Sequence, residues 1–254
     1  MALKIEAYGL SDVGKKRTRN EDSFLVSDAL QLYVVADGMG GHSGGEYASR
    51  LAIASIEEVL QSLNSDPEAT VISGVNSEEA DFGDRLRYSI EVAGQKIFDQ
   101  ALYDPELKGM GTTITSVIFD DTLAYIANVG DSRVYLVRDN KIKQITTDHS
   151  LVSEQMKAGL ISAKDAKKHS LKNIITRSVG YQEEVEIDII KMDCLANDKL
   201  LLCSDGLTNM VDDESIKEVI ASKDVQSGCR ALINLANKNG GDDNVTVVLC
   251  HVTE

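Results

Sequence analysis

Apolar and polar residues along this chain follow two repeating patterns, which divide it into blocks of strands and helices. Alternating apolar and β-branched residues predict strands at 3–12, 22–27, 32–37, 113–119, 123–129, 132–137, 141–145, 185–191, 199–204 and 244–252. Apolar residues spaced by three and four predict amphipathic helices at 44–63, 84–102, 213–221 and 225–237. The segment between the first two helices is predicted to be a loop.

The spacing of the strands indicates how they are connected. Gaps of only two or three residues separate the strands between Thr113 and Ile145, which permits antiparallel hairpins and excludes helical crossovers. Strands and helices fall in separate blocks, so we predict an α+β fold with antiparallel sheets and helices on their outer faces. Neither an internal repeat nor a second core is evident, which predicts one domain over 1–254.

Composition and charge narrow the class of function. The chain is 43% hydrophobic and 26% charged, as is typical of globular proteins, and no apolar run approaches the ~18 residues of a membrane span. Its formal charge of −15 argues against nucleic-acid binding and suits a protein that gathers divalent cations. The four cysteines lack metal-ligand spacing and indicate reduced core thiols in a cytoplasmic protein.

Four apolar runs carry an aspartate at one end, next to glycine or serine. These residues are Asp37, Asp131, Asp205 and Asp243. Any one of them could simply form an Asx turn, but four like charges at one sheet edge would repel each other unless a cation lay among them. Carboxylates and a backbone carbonyl such as that of Gly38 suit Mg²⁺ or Mn²⁺, whereas the scattered histidines do not form a zinc motif.

A phosphate-binding group is also present. The stretch "KKRTRNED" places Arg17 just before Glu21 and Asp22 at a strand start. The planar guanidinium of arginine matches a phosphate dianion. For the nearby Arg19, we favour an ordinary exposed position.

The ordered motifs resemble those of the metal-dependent serine/threonine phosphatases of the protein phosphatase 2C family, in its compact bacterial form. The motifs are "RTRNED", "VVADGMGGHSGGEYAS", "GMGTT", "ANVGDSRVY", "TTDHS", "LLLCSDGL" and "GGDDNVTVV". Each is weak alone, but together they follow the family's order from Arg17 to Val248.

The resemblance implies a four-layer αββα sandwich of two antiparallel sheets with helix pairs outside. It further implies that Asp37 bridges two Mn²⁺ or Mg²⁺ ions, that Asp205 and Asp243 complete one site, and that the Gly38 carbonyl serves the other. Asp131 and Asp205 would hold a third ion.

The remaining site residues also follow from the resemblance. Arg17 would bind the substrate phosphate, and Asp22 would hold metal-bound water with Glu21 beside it at the metal centre. A metal-bridging hydroxide would attack phosphorus directly, without a phosphoenzyme. Eukaryotic relatives carry a histidine after the Asp-Gly pair as a candidate general acid. Here Met39 stands there, so either His42, three residues on, or a metal-bound water is the candidate acid.

A basic segment interrupts the acidic chain, and the resemblance identifies it as the flap beside the active site (the flap, residues 148–180). Two short helices are predicted in it, with Gly159 ending the first and a capping box from Ser162 to Asp165 opening the second. Its basic residues are Lys157, Lys164, Lys167, Lys168, Lys172 and Arg177. It is either a solvated helical excursion or a surface that steers phosphorylated segments by charge.

Two classes of function compete. One is a Mg²⁺- or Mn²⁺-dependent phosphoprotein phosphatase, and the other is a catalytically silent module that docks a phosphoprotein. A third, a nucleotide-binding loop at "DGMGGHSGG", fails because that stretch lacks the lysine and hydroxyl of a P-loop. The partners implied by the resemblance are phosphorylated proteins, including a Ser/Thr kinase and its targets, and we expect a monomer.

Overall fold

The computed structural model describes residues 3–40, 44–65, 80–166 and 169–254. The strands are β1 (Lys4–Asp12), β2 (Asp22–Ser27), β3 (Leu32–Met39), β4 (Gly111–Thr112), β5 (Ile114–Asp120), β6 (Leu123–Val129), β7 (Arg133–Arg138), β8 (Lys141–Gln144), β9 (Asp188–Asp193), β10 (Lys199–Cys203) and β11 (Val245–Thr253). The helices are α1 (Gly44–Ser65), α2 (Phe82–Tyr103), α3 (Leu151–Lys157), α4 (Ala163–Ala166), α5 (Asp205–Thr208), α6 (Asp213–Ser222) and α7 (Val225–Lys238).

The strands form two antiparallel sheets. One has the order β1-β11-β10-β7-β8, and the other has the order β2-β3-β5-β6-β9 with the short β4 paired to β3. Hairpins join β5 to β6 and β7 to β8, as the short gaps predicted. The gap that contains Asp131 is different, because β6 and β7 lie in different sheets and the turn crosses from one sheet to the other. The predicted α+β class with two antiparallel sheets is therefore confirmed.

Side chains that alternate along each strand divide the core into three apolar layers. In β3, Leu32 and Val34 pack against α1 and α2, whereas Tyr33 and Val35 face the other sheet. In β10, Leu201 packs toward α6 and α7, on the opposite side of the strand from the inter-sheet core. Because successive strand side chains point to opposite faces, each sheet buries both of its faces. The result is the predicted four-layer αββα sandwich.

Several element boundaries differ from the predictions. The strand predicted at 185–191 begins only at Asp188, which pairs with Asn128 near the end of β6. The carbonyl of Ile187 instead accepts a hydrogen bond from the Arg87 side chain. Helix α2 begins two residues earlier than predicted because Asp81 and Asp84 form a capping box. The sequence analysis missed β4 and α5, and most of the predicted loop between α1 and α2 lies outside the described residues.

The flap joins β8 to β9 and contains α3 and α4, in agreement with the two predicted helices. Gly159 follows α3 with φ of +70°, and the Ser162 hydroxyl accepts a hydrogen bond from the Asp165 amide at 3.2 Å. At the base of the flap, Ser150 and Ile175 form an isolated β-bridge. The chain therefore leaves and re-enters the sandwich at adjacent points.

Candidate metal centre

The aspartates selected from the sequence lie at one edge of the sandwich, where strands of both sheets begin or end. Asp22 begins β2 and lies opposite Asp37, near the end of β3. Asp205 lies two residues after the end of β10 as the first residue of α5, and Asp243 lies two residues before β11. Asp131 occupies the turn between β6 and β7. The negative charges of Asp22, Asp205, Asp131 and Asp243 all act on Asp37, so the five carboxylates lie close together at this edge.

Burial and mutual repulsion raise the pKa values of these carboxyls and so disfavour their ionised forms. Burial, followed by the negative charges of Asp22 and Asp205, raises the pKa of Asp37 well above its ordinary value. Burial and the charge of Asp205 raise the pKa of Asp131 to about 7. Burial and the charge of Asp243 raise the pKa of Asp205 to about 6. A cation placed among these groups would stabilise their ionised forms, as the sequence analysis argued.

Asp22 is held in place by both sheets. Its Oδ2 accepts hydrogen bonds from the Ser204 hydroxyl at 2.8 Å and the Thr246 hydroxyl at 2.7 Å. The residue is only 7% exposed, and its Oδ1 is buried without a hydrogen-bond partner in the protein. Burial raises the pKa of Asp22 to about 7, even though the two hydroxyls act to lower it. A buried carboxylate oxygen without a partner needs water or a cation to satisfy it.

Asp37 and Gly38 are fixed by backbone contacts. The Asp37 amide donates to the Thr113 hydroxyl at 3.0 Å, and the Thr113 amide donates to the Asp37 carbonyl at 2.8 Å. A Cβ atom at Gly38 would lie 2.0 Å from the Gly45 carbonyl oxygen and 2.6 Å from that of Glu21. Only glycine therefore lets the start of α1 pack directly on the end of β3.

The loop that carries Arg17 and Glu21 is fastened by Asn244. The Asn244 side chain accepts a hydrogen bond from the Glu21 amide at 2.9 Å and donates to the carbonyls of Val13 and Arg19. Because Asn244 adjoins Asp243, the same residue connects this loop to the carboxylate cluster. Burial raises the pKa of Glu21, against the opposing effect of the Arg17 charge.

Arg17 points into the cluster. Its Nη2 lies 2.8 Å from Oδ2 of Asp243, and its side chain is 50% exposed. The hydrogen bond that Arg17 donates to Asp243 raises the pKa of Arg17, so the guanidinium is charged. Arg19 is exposed, as the sequence analysis favoured. The arrangement leaves one guanidinium that contacts both the acidic cluster and solvent, where an anionic ligand could reach it.

The residues present fit a hard divalent cation in their chemistry. All candidate ligands are oxygen atoms, and the unpartnered Oδ1 of Asp22 lies among them. Within the described part of the chain, no three His, Cys, Asp or Glu side chains are grouped closely enough to hold an ion by themselves. Mg²⁺ binds through one or two carboxylates and keeps several waters, so such a cage is not required.

The candidate general acid His42 lies outside the described residues. Met39, which stands where eukaryotic relatives carry a histidine, ends β3 opposite Gly111. Its methyl carbon would lie 3.2 Å from a Cβ atom at Gly111, so Met39 packs beside the short strand β4.

A cleft of about 510 Å³ opens between the carboxylate cluster and the flap. Its lining includes Asp131, Asp205, Met156, Lys172 and Val211. The Lys172 ammonium donates to the Asn209 side chain at 3.2 Å. Of the other basic residues named above, Arg177 is paired with Glu186 and Asp188 and is therefore engaged within the protein. Lys167 and Lys168 lie outside the described residues.

The hydroxyl and amide partners of the aspartates were not identified from the sequence. They are Ser204, Thr246, Thr113, Asn209 and Asn244. Most of them lie within three residues of an aspartate in "CSDG" or "DDNVT", so a small polar residue beside each strand-end aspartate was the available signal.

Comparison with known proteins agrees with this arrangement. Residues 14–249 match the family model described as Protein phosphatase 2C. The serine/threonine phosphatase stp of Listeria welshimeri is 39% identical over 243 residues, covering 94% of this chain and 92% of that protein. Protein phosphatase PhpP of Streptococcus pneumoniae is 36% identical over 249 residues, covering 96% of each.

Solved structures share the fold. The serine/threonine phosphatase Stp1 of Staphylococcus aureus has a TM-score of 0.88 at 33% identity, covering 100% of this chain and 98% of that one. The catalytic domain of the serine/threonine protein phosphatase PstP, in complex with two manganese ions, has a TM-score of 0.85 at 34% identity. The match covers 99% of this chain and 100% of that one.

Proposed function

The chain belongs to the protein phosphatase 2C family, and we propose that it hydrolyses phosphoserine and phosphothreonine in proteins with the help of divalent cations. The observation that carries this proposal is the cluster of carboxylates at one edge of the sandwich, with Arg17 pointing into it. Relatives over nearly the whole chain are named serine/threonine phosphatases, and one structure of similar fold contains two manganese ions.

The carboxylates would hold Mn²⁺ or Mg²⁺. Asp37 and the Gly38 carbonyl would serve two ions, with Asp205 and Asp243 completing that binuclear centre and Glu21 beside it. Asp131 and Asp205 would hold a third ion. When bound, such cations supply positive charge that acidifies a water molecule and stabilises negative charge on a phosphoryl group.

The chain's own residues would bind and orient the reactants. Arg17 is exposed on one side and would place its guanidinium on the phosphate dianion, exchanging part of its contact with Asp243. Asp22 offers its unpaired Oδ1 as a hydrogen-bond acceptor for water, while Ser204 and Thr246 prevent the carboxylate from rotating. This fixed acceptor would orient the attacking water toward phosphorus.

The alcohol that leaves must receive a proton. Either His42 or a water molecule at the cation centre would supply it. The cleft beside Asp131 and Asp205 would receive the protein segment around the phosphorylated residue, with the flap as one wall. We infer that the partners in the cell are phosphorylated proteins and the Ser/Thr kinase that modifies them.

The cellular setting is also part of the proposal. Four buried free cysteines are compatible with reducing conditions, which supports a cytoplasmic location. Among the described residues, no helix is both long enough and apolar enough to cross a membrane. We propose that the protein acts as a monomer.

Release of phosphate from a phosphothreonine peptide tests the proposal. Wild-type protein should release phosphate with Mn²⁺ and lose this activity in excess chelator, and Asp205→Asn should remain inactive at saturating Mn²⁺. Binding of the same peptide without any phosphate release, with Mn²⁺ present, would favour the silent docking module instead.

A further inference from the structure

His149 lies at the start of the flap and contacts the turn that carries Asp131. It is 4% exposed. Its amide donates to the Gly130 carbonyl at 2.8 Å, and its ring Nδ1 lies 3.2 Å from the Gly130 amide nitrogen. Two hydrogen bonds thus join His149 to the residue directly before Asp131.

These contacts determine the tautomer of the ring. A backbone amide can only donate a hydrogen bond, so Nδ1 must be the acceptor, and the proton of the neutral imidazole lies on Nε2. Nε2 lies 3.2 Å from Oδ2 of Asp188, to which it donates. Arg177 Nη1 lies 3.0 Å from Oδ1 of the same carboxylate and 3.3 Å from Nε2 of His149. The Arg177 and Asp188 pair therefore orients the ring.

The turn needs such support because its backbone is unusual. Gly130 has φ of +107°, and a Cβ atom there would lie 2.5 Å from the Thr113 side chain. Thr113 in turn bonds the amide of Asp37. Gly130 and Thr113 thus link the Asp131 turn to the end of β3.

The same residue also fastens the far end of the flap. The His149 carbonyl accepts a hydrogen bond from the Thr176 amide at 2.9 Å. Thr176 adjoins Arg177, whose carboxylate partner holds the His149 ring. The backbone and the ring of His149 together therefore connect the two ends of the flap with the turn at the candidate metal centre.

We propose that His149 is a positioning residue that holds the Gly130–Asp131 turn in the geometry needed for cation binding at Asp131, and that it couples this turn to the base of the flap. The proposal rests on the proposed function through the assignment of Asp131 to a third cation. No proton transfer by His149 is involved. Outer contacts that orient ligands commonly change metal affinity by about 10- to 100-fold when removed.

Three variants test the proposal. His149→Leu removes both ring contacts and leaves the buried Gly130 amide without its acceptor. His149→Asn keeps an acceptor, because the asparagine amide oxygen occupies about the position of Nδ1. The matched control is Ser150→Ala, the adjacent buried residue, whose hydroxyl caps α3 through the Ser153 amide and does not contact Gly130.

Calorimetric titration with Mn²⁺ and amide hydrogen exchange provide the readouts. His149→Leu should keep the two tight sites, weaken the third by about 10- to 100-fold, and accelerate exchange of the Gly130 amide. His149→Asn should restore most of the third-site affinity and most of the protection of the Gly130 amide from exchange. Ser150→Ala should match the wild type in both measurements. A wild-type third-site affinity in His149→Leu, with Asp131→Ala impaired, would overturn the role of His149.

Two further measurements keep the outcomes distinguishable. If Asp131→Ala itself binds the third ion normally, the assignment of Asp131 in the proposed function is wrong. The proposed link between His149 and cation binding at Asp131 is then wrong as well. The ring nitrogens of wild-type His149, observed by NMR, provide a test that does not depend on folding of a variant. A proton on Nδ1 rather than Nε2 would contradict the proposal.

Discussion

Replacing Asp22 with asparagine should stabilise the cation-free protein while abolishing its activity. The asparagine oxygen can accept the same two hydroxyl hydrogen bonds, and its amino group then occupies the place of the unpartnered Oδ1. The shape of the side chain is retained, so the variant removes only the buried negative charge. Its effect on stability should therefore report the electrostatic strain at this position.

The magnitude follows from the pKa of Asp22, which burial raises from 3.8 to about 7. Each factor of ten in proton affinity corresponds to ~1.4 kcal/mol, so ionising this group at pH 8 destabilises the folded state by ~4 kcal/mol. The stability therefore changes with pH in the opposite direction from that caused by a salt-bridged carboxylate. Folded protein binds the proton more tightly than unfolded protein, so the wild type loses stability as pH rises from about 4 to about 7.

Thermal unfolding in excess chelator, followed by circular dichroism from pH 5 to pH 8.5, measures this effect. The stability of Asp22→Asn relative to wild type should increase from about 2 kcal/mol at pH 5 to about 4 kcal/mol above pH 8. For a chain of this size, the larger value corresponds to a rise in Tm of about 10 °C. Asp139→Asn makes the same chemical change in an exposed turn with φ of 50°, which asparagine adopts readily, and should shift Tm little at any pH.

Two results would refute this reasoning. Equal stability of Asp22→Asn and wild type at pH 8 would mean that the buried carboxylate is not strained. A gain in the stability of Asp22→Asn that does not change with pH would mean that the substitution acts through packing rather than through charge.

Three other substitutions probe the proposed centre. Asp205→Ala should reduce turnover of a phosphopeptide by at least about 100-fold at saturating Mn²⁺, because this carboxylate would serve both the binuclear centre and the third ion; near-normal rates would contradict its assignment. Arg17→Ala should raise KM about 10-fold with a smaller change in kcat, because a phosphate dianion is bound in both ground and transition states. Arg19→Ala serves as its control, and a collapse of kcat at constant KM would assign Arg17 to the transition state. Asp131→Ala should keep two tight Mn²⁺ sites in a calorimetric titration while losing the third and most turnover; loss of the tight sites would place Asp131 elsewhere.

Most of the fold could be predicted because its strands and helices carry clear periodic patterns. The hairpins β5–β6 and β7–β8 follow from alternating residues and short gaps. That the chain changes sheets between β6 and β7 does not, because a short gap looks the same in both cases. Helix α5 and strand β4 could not be predicted, because four and two residues are too few to show a period. The start of β9 was placed too early, since the hydrogen bond from Arg87 to the Ile187 carbonyl joins residues 100 positions apart.

The candidate site was predictable only in part, for a similar reason. Aspartates at strand ends are visible in the sequence, and the fold brings them to one edge. The partners that hold them are not visible, because Thr246 within a run of valines resembles any other strand residue. Its hydrogen bond to Asp22 spans 224 positions and exists only once the two sheets have packed together. His149 stands in the motif "TTDHS", but its contact with Gly130 joins residues 19 positions apart and is likewise not visible in the sequence.

The adjoining ends of the flap have a consequence for how such a protein can diverge. The Leu151 amide donates a hydrogen bond to the Ile174 carbonyl at 2.9 Å. The two ends of the flap are therefore held together, and the residues between them form a closed loop. The entropy of closing a loop grows only with the logarithm of its length, and insertions between these two residues would not displace the strands beside them. Descendants can therefore lengthen, shorten or exchange this segment while the carboxylate edge stays as it is. Selection of new target proteins and preservation of the chemistry can then proceed as separate evolutionary problems.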